Sequence, residues 1–170
     1  VSPNEKKIIF YENNSQSWAL KLFDVQKNIK SHLIEEKEIS KWKSNFLDLE
    51  FSPDSKKILL KIGLKEYLRY YLLDTEKSLS SLLFLDWLDN DSQNISFGPK
   101  DSEKLFLIKK NNLYEVNINK KEFSPLFAEN VAAFAVPNSD IYYLDKAGLL
   151  WKSSPSFKQK EAISCIFTRW

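Results

Sequence analysis

Methionine is absent from the 170 residues, glycine occurs three times, and histidine and cysteine occur once each. These shortages exclude a good deal of chemistry. Gly63, Gly98 and Gly148 lie far apart, so neither a dinucleotide fingerprint nor a phosphate loop can be written. A single histidine and a single cysteine cannot make a Cys/His zinc set, and Cys165 has no intrachain partner for a disulfide. Long apolar runs are missing too. The densest, Leu79 to Leu88, already contains Asp86 and is too short to cross a bilayer, so direct membrane insertion is not expected. Nor does one sign of charge dominate: 25 basic residues nearly balance 23 acidic ones, which leaves no electrostatic footprint for nucleic acid. The first residues, Val1 to Lys7, lack a signal-peptide pattern, and with no methionine anywhere the expectation is a piece of a longer protein.

What remains is a globular composition, with 43% hydrophobic and 28% charged residues, and enough length for one sizeable domain that buries about 70% of its surface. The main signal within it is a repeat. VSPNEKKIIF at 1–10 realigns on FSPDSKKILL at 51–60, at an offset of fifty residues. The pattern returns as FGPKDSEKLFLI at 97–108 and more faintly as VPNSDIYYL at 136–144, so the anchoring prolines are Pro3, Pro53, Pro99 and Pro137. A second stretch repeats downstream: Leu22-Phe23-Asp24-Val25-Gln26-Lys27, Leu72-Leu73-Asp74-Thr75-Glu76-Lys77, and a weaker Glu115-Val116-Asn117-Ile118-Asn119-Lys120. An aromatic residue (Trp42, Trp87 or Phe127) then precedes the next anchor at similar spacing.

The apolar runs read as strands. Ile8 to Tyr11, Ile58 to Leu60, Leu105 to Ile108 and Ile141 to Leu144 are short, β-branched or aromatic, and bounded by Pro, Asn, Asp and Ser. Apolar residues at consecutive positions demand burial on both faces, as in a sheet held between two other sheets. The intervening segments, such as Ala19 to Val25 and Arg69 to Asp74, read as further strands with turns at Asp24 to Asn28 and Asp74 to Ser78. Trp42, Phe46 and Leu49 fall at helical spacing, which leaves a short helix around 35–44 open, but Phe46 to Phe51 reads as a strand leading into the Ser-Pro turn.

The segment Phe51-Ser52-Pro53-Asp54-Ser55-Lys56-Lys57-Ile58-Leu59, followed about fifteen residues later by Tyr71-Leu72-Leu73-Asp74, resembles the TolB-like, WD-type β-propeller repeat, written around Phe-Ser-Pro-Asp-Gly-Lys-Lys. Ser55 stands where that repeat usually has glycine, and Asp101-Ser102 lengthens the third copy. The resemblance implies an all-β fold, a β-propeller or propeller segment of about four antiparallel blades, with repeats at about 1–45, 46–92, 93–130 and 131–170 in a single domain. Counting from the Pro turns gives three strands in the first unit and four in each of the others. A four-bladed ring with one incomplete blade and a fragment of a larger propeller both fit that count. A fragment would expose an unpaired strand edge and so invite self-association or docking of the remainder of the parent propeller.

No residue set points to catalysis, a metal or a cofactor. Asp86, Asp89 and Asp91 alternate like calcium ligands, but no glycine turn or closing glutamate accompanies them, and a polar turn before Ile95 is the plainer reading. His32 is the one conventional base, and neighbouring Ser31 should point to the opposite face of a strand, so it cannot serve as nucleophile. Nothing in the spacing of Asp and Glu singles out a glycosidase pair. Trp18, Trp42, Trp87, Trp151 and Trp170 could be imagined as a sugar or peptide platform, but packing between blades explains Trp42 and Trp87 more simply. Lys6-Lys7, Lys56-Lys57, Lys109-Lys110 and Lys120-Lys121 read as solvated blade edges interleaved with acids. Three matches to the glycosylation pattern begin at Asn13, Asn90 and Asn94. The expected function is a non-catalytic interaction module for a protein or peptide partner. The alternative is an accessory, gating propeller of a hydrolase whose catalytic domain lies outside these residues. The TolB resemblance implies a bacterial cell-envelope or exported setting.

Overall fold

The computed structural model describes all residues except 15–16, 36–43, 65–66, 77–82, 89–90, 125, 138–139, 155–159 and 164–170. Trp42, Asp89, Cys165, Trp170 and most of the helix considered at 35–44 therefore lie outside the described residues, as does the side chain of Trp18. Two compact units form, Val1–Asn90 and Asp91–Trp170. Every regular element among the described residues is a strand.

The first unit holds two antiparallel sheets. One runs in the order β1 (Lys7–Asn14), β2 (Ser17–Asp24), β3 (Ile29–Glu35), and the other in the order β4 (Ser44–Phe51), β5 (Lys57–Leu64), β6 (Tyr67–Asp74), β7 (Leu83–Phe84). The second unit repeats the four-stranded plan twice. Its sheets are β8 (Ser92–Phe97), β9 (Lys104–Lys109), β10 (Asn112–Asn117), β11 (Glu122–Phe123), and β12 (Val131–Ala135), β13 (Ile141–Asp145), β14 (Leu150–Ser153), β15 (Lys160–Ile163). Neighbours in sequence are neighbours in each sheet, so each is a meander of hairpins, the blade pattern implied by the repeat. Phe46 to Phe51 lies in β4, where strand was expected over helix.

Local chemistry sets the turns. Lys110 and Asn111 alone connect β9 to β10, both at positive φ (49° and 63°), the two-residue turn whose twist matches the flanking strands. Asp24 ends β2, and its carboxylate accepts the backbone N–H groups of Gln26 and Lys27 at 3.1 and 3.0 Å. Asp74 and Asn117 do the same for Glu76 and Lys120 at 2.9 Å each. Side-chain oxygens of this length offer the backbone a turn in place of another ladder bond, and so end the strand.

Strands β5 and β9 are buried on both faces, as their consecutive apolar residues demand, whereas Ile8 to Phe10 of β1 and Tyr142 and Leu144 of β13 are only half-buried. Ile58, Leu60 and Ile62 of β5 are fully buried in a cluster with Leu20, Leu22, Leu33 and Ile34 of the first sheet, while Leu59, on the other face of β5, is 4% exposed. Each such side chain contributes about 1.5–3 kcal/mol by leaving water. In the second unit Phe127 sits between Phe106 and Tyr143, with ring centroids 5.5 and 6.1 Å away in edge-to-face geometry. Phe127, the aromatic before the fourth repeat, thus joins two sheets.

Candidate functional site

The repeat is visible atom by atom at one end of the first two sheets. Ser2 N–H donates to the Lys7 carbonyl at 2.8 Å, and Lys7 N–H donates back to the Ser2 hydroxyl at 2.9 Å. Fifty residues on, Ser52 and Lys57 make the same pair at 2.9 and 2.8 Å. The Ser2 and Ser52 hydroxyls donate in turn to Asn4 and Asp54, whose side chains accept Lys6 N–H and Lys56 N–H. Glu5 and Ser55 occupy the next position with φ of 59° and 63°, the left-handed conformation for which the related repeat uses glycine. In the third copy Gly98 replaces the serine and keeps the backbone bond to Lys104 at 2.8 Å. A further bond ties each Pro turn to its neighbouring hairpin: Val25 N–H to Lys6 O, Thr75 N–H to Lys56 O, and Ile118 N–H to Glu103 O.

Between the first two of these turns lies a cavity of about 500 Å³, flanked by Lys6, Lys7, Lys27 and Lys56 and by Asp24, Asp54 and Glu76. Leu22 and Ile29 provide its apolar wall, and Ser31 and Thr75 add hydroxyls. Lys7 reaches across it: its Nζ donates to the Thr75 hydroxyl at 2.6 Å and to the Ser55 carbonyl at 3.3 Å. Asp24 is held below the usual carboxylate range, first by the Lys27 N–H bonded to it and further by the Lys27 charge and the Gln26 N–H. It therefore stays an anion at neutral pH. The groove presents charges of both signs beside apolar surface.

The residues singled out earlier fall as follows. Ser31 pairs with Leu22 and lines the groove, while His32 pairs with Lys21 and is exposed, so the two side chains leave opposite faces of β3. Asp86 and Asp91 are both exposed, and among the described residues no three His, Cys, Asp or Glu side chains cluster as metal ligands. Trp151 packs within its own sheet: its ring stacks on Tyr143 at 6.2 Å, and its Nε1–H donates to Asp145 at 2.9 Å. Trp87 is half-buried. Of the lysine pairs, Lys6-Lys7 and Lys56-Lys57 flank the groove through three of their four members. The groove itself was not anticipated from the sequence, although the serial recurrence of Ser-Pro-Asn/Asp with Asp-x-x-Lys held its wall residues.

No family model matches the sequence, and no curated protein matches it. Solved structures do share its fold. The chain is similar to TolB from Acinetobacter baumannii, at 15% identity and a TM-score of 0.58 over 94% of this chain and 40% of that one. It is similar to the N-terminal domain of Nup159, at 17% identity and a TM-score of 0.58 over 96% of this chain and 42% of that one. It is also similar to the β-propeller domain of the Trilobed protease from Pyrococcus furiosus, at 13% identity and a TM-score of 0.58 over 93% of this chain and 53% of that one. The chain thus spans about half or less of the length of each of these structures. At such identities the likeness shows the fold alone, and the fold is that of an all-β propeller segment built from antiparallel sheets of three and four strands.

Proposed function

We propose that this chain is a non-catalytic propeller interaction module, and that the groove between its first two sheets contacts a protein or peptide partner. The four sheets are read as blades of one propeller domain, with repeats at about 1–45, 46–92, 93–130 and 131–170. The observation that carries the reading is the groove wall: Lys6 and Lys56, equivalent positions of successive repeats, stand exposed beside carboxylates and the apolar Leu22 and Ile29. Such mixed walls recognise polypeptide through charge complementarity at the rim and apolar contact within. Neighbouring propellers lend support, since Nup159 has been solved in complex with S. cerevisiae Dbp5 and Gle1. An envelope or exported bacterial setting, drawn from the TolB resemblance, belongs to the same reading.

The test is an array of short synthetic peptides of graded charge, probed with the chain and with a Lys6→Glu/Lys56→Glu variant of unchanged circular dichroism. Expected is saturable, salt-sensitive binding of acidic-apolar peptides that the double reversal weakens about tenfold. Binding indifferent to both changes, or no binding, overturns the groove.

A second reading has the chain as the accessory propeller of a hydrolase gating access to a catalytic domain outside these residues. The likeness to the Trilobed protease propeller favours it. A Ser-His-Asp hydrolase domain encoded in the same gene would support gating, and a membrane anchor would support envelope binding.

A further inference from the structure

The hydrogen-bonding capacity of the groove is lopsided. Most of its acceptors are in use. The Asp24 carboxylate accepts the Gln26 and Lys27 N–H groups, with the Lys27 ammonium 3.7 Å away. The Asp54 carboxylate accepts the Ser52 hydroxyl at 2.6 Å and the Lys56 N–H at 3.0 Å, and the Asn4 side-chain oxygen accepts the equivalent pair from Ser2 and Lys6. Of the three lining carboxylates, Glu76 alone makes no such bond among the described residues. Donors are in surplus. The ammonium groups of Lys6 and Lys56, at the same place in successive repeats, are exposed and bonded to no described residue, and the Asn4 amide nitrogen adds a further donor. Lys7 crosses the groove but is already engaged by Thr75 and Ser55, so it ties the walls together rather than awaiting a ligand.

From this imbalance we infer that the groove receives the C-terminal end of a partner polypeptide, its carboxylate held between Lys6 and Lys56 and its last, apolar side chain laid against Ile29. The inference rests on the reading of the groove as a peptide site and names which part of the peptide it takes. Charge sets the size of the anion. Four lysines and three carboxylates line the groove, an excess of one positive charge, which a single carboxylate neutralises. A phosphate group, at about −1.5 to −2, would overshoot that excess and lie beside Asp24, Asp54 and Glu76. Donor and acceptor supply then favours a chain end over a segment passing through. A mid-chain segment brings an N–H with each carbonyl and meets few open acceptors, whereas a terminal carboxylate brings two acceptor oxygens and no donor. Ammonium–carboxylate bonds are of the stronger, charge-assisted kind, and capture of a C-terminal carboxylate is a recurring mode of peptide recognition. The apolar contact is also at hand. Ile29 is 55% exposed beside the buried Leu22, and a cavity of about 500 Å³ is of ligand-site size.

The probes are three hexapeptides labelled with fluorescein at the N-terminus: one ending in leucine with a free carboxylate, the same sequence as its C-terminal amide, and the free acid with serine in place of the last leucine. Titrated into the chain, the first should bind saturably, and the other two each about tenfold more weakly or worse. Lys6→Gln/Lys56→Gln, with unchanged circular dichroism, should bring the free acid down to the level of the amide. Ile29→Thr should cut the preference for leucine over serine to less than about threefold and leave the preference for the free acid. An amide bound as tightly as the free acid, with both weakened in the Lys6→Glu/Lys56→Glu variant, overturns the chain-end inference and leaves the groove as a peptide site. A free-acid preference that survives loss of both lysines puts the carboxylate elsewhere and overturns it as well. Should none of the three bind while acidic-apolar peptides of the array do, the chain end alone falls, and if neither set binds the groove falls with it.

Discussion

The Asn4 N–H donates to the Ser55 hydroxyl at 3.3 Å, joining two turns that hold the same place in consecutive repeats. This bond gives a reason for serine where the related repeat uses glycine. Ser55 is 1% exposed with φ of 63°, a conformation that costs a residue with a Cβ about 1–2 kcal/mol, and its hydroxyl returns part of that through the link between sheets. Ser55→Gly exchanges the bond for relief of the backbone and should leave stability within about 1 kcal/mol of wild type. Ser55→Ala keeps the strain and loses the bond, and should cost about 1–2 kcal/mol in urea unfolding. Alanine tolerated as well as glycine would show that the backbone conformation carries no cost there.

The unequal flanking of β1 and β5 predicts unequal mutational costs at equivalent positions. Ile58 is fully buried between two neighbouring strands, and Ile58→Ala should cost about 2–5 kcal/mol. Ile8, half-buried on a strand with one partner among the described residues, has fewer contacts to lose, and Ile8→Ala should cost about half as much or less. Chemical denaturation of both variants, with the slope checked for constancy, measures the comparison. Equal costs would mean that Ile8 is packed as closely as Ile58 in solution.

Much of this architecture was legible because the turn chemistry and the apolar runs repeat together. Pro3, Pro53 and Pro99 mark turns whose backbone bonds coincide, and Asp24, Asp74 and Asn117 each end a strand as their recurrence implied. The strand count among the described residues, three and then four in each later sheet, could be read in the same way. The groove was harder to see because it depends on a reach between repeats. Lys7 meets Ser55 and Thr75, 48 and 68 residues away, and no local pattern says which way a lysine side chain will lie. Trp151 was hidden for the same reason: its partners Asp145 and Tyr143 are fixed by the β13–β14 register, while its sequence context marks it only as another tryptophan.

A second consequence of pairing lies on the β9–β10 hairpin. Glu115 is 8% exposed, and its carboxylate accepts from the Lys104 ammonium at 2.8 Å. Removing the cation leaves a largely buried charge without its partner, whereas neutralising the acid leaves a lysine that is only half-buried and that water can reach. Lys104→Met should therefore cost about 1–3 kcal/mol and Glu115→Gln less, with the gap read from paired thermal or urea transitions. A larger loss for Glu115→Gln would reverse the assignment of which partner depends on the other.

Asp145 gives the second unit a pH dependence of definite sign. The Trp151 indole N–H bonded to its carboxylate, aided by the Leu149 N–H at 2.9 Å, holds it below the ordinary aspartate value of 3.8. A carboxylate with a depressed folded-state pKa adds stability that is fully present above the unfolded value and fades as pH falls through the folded one. Wild type should therefore lose its advantage over Asp145→Asn as pH drops below 3.8, and hold a constant advantage from there to neutrality apart from groups common to both. The loss should track the near-ultraviolet signal of the Trp151–Tyr143 stack, because protonation removes the charge that orients the indole while asparagine keeps a neutral acceptor at every pH. Parallel acid titrations of the two proteins decide the matter: curves that stay a fixed distance apart through this range would show that the indole bond does not bias the protonation of Asp145.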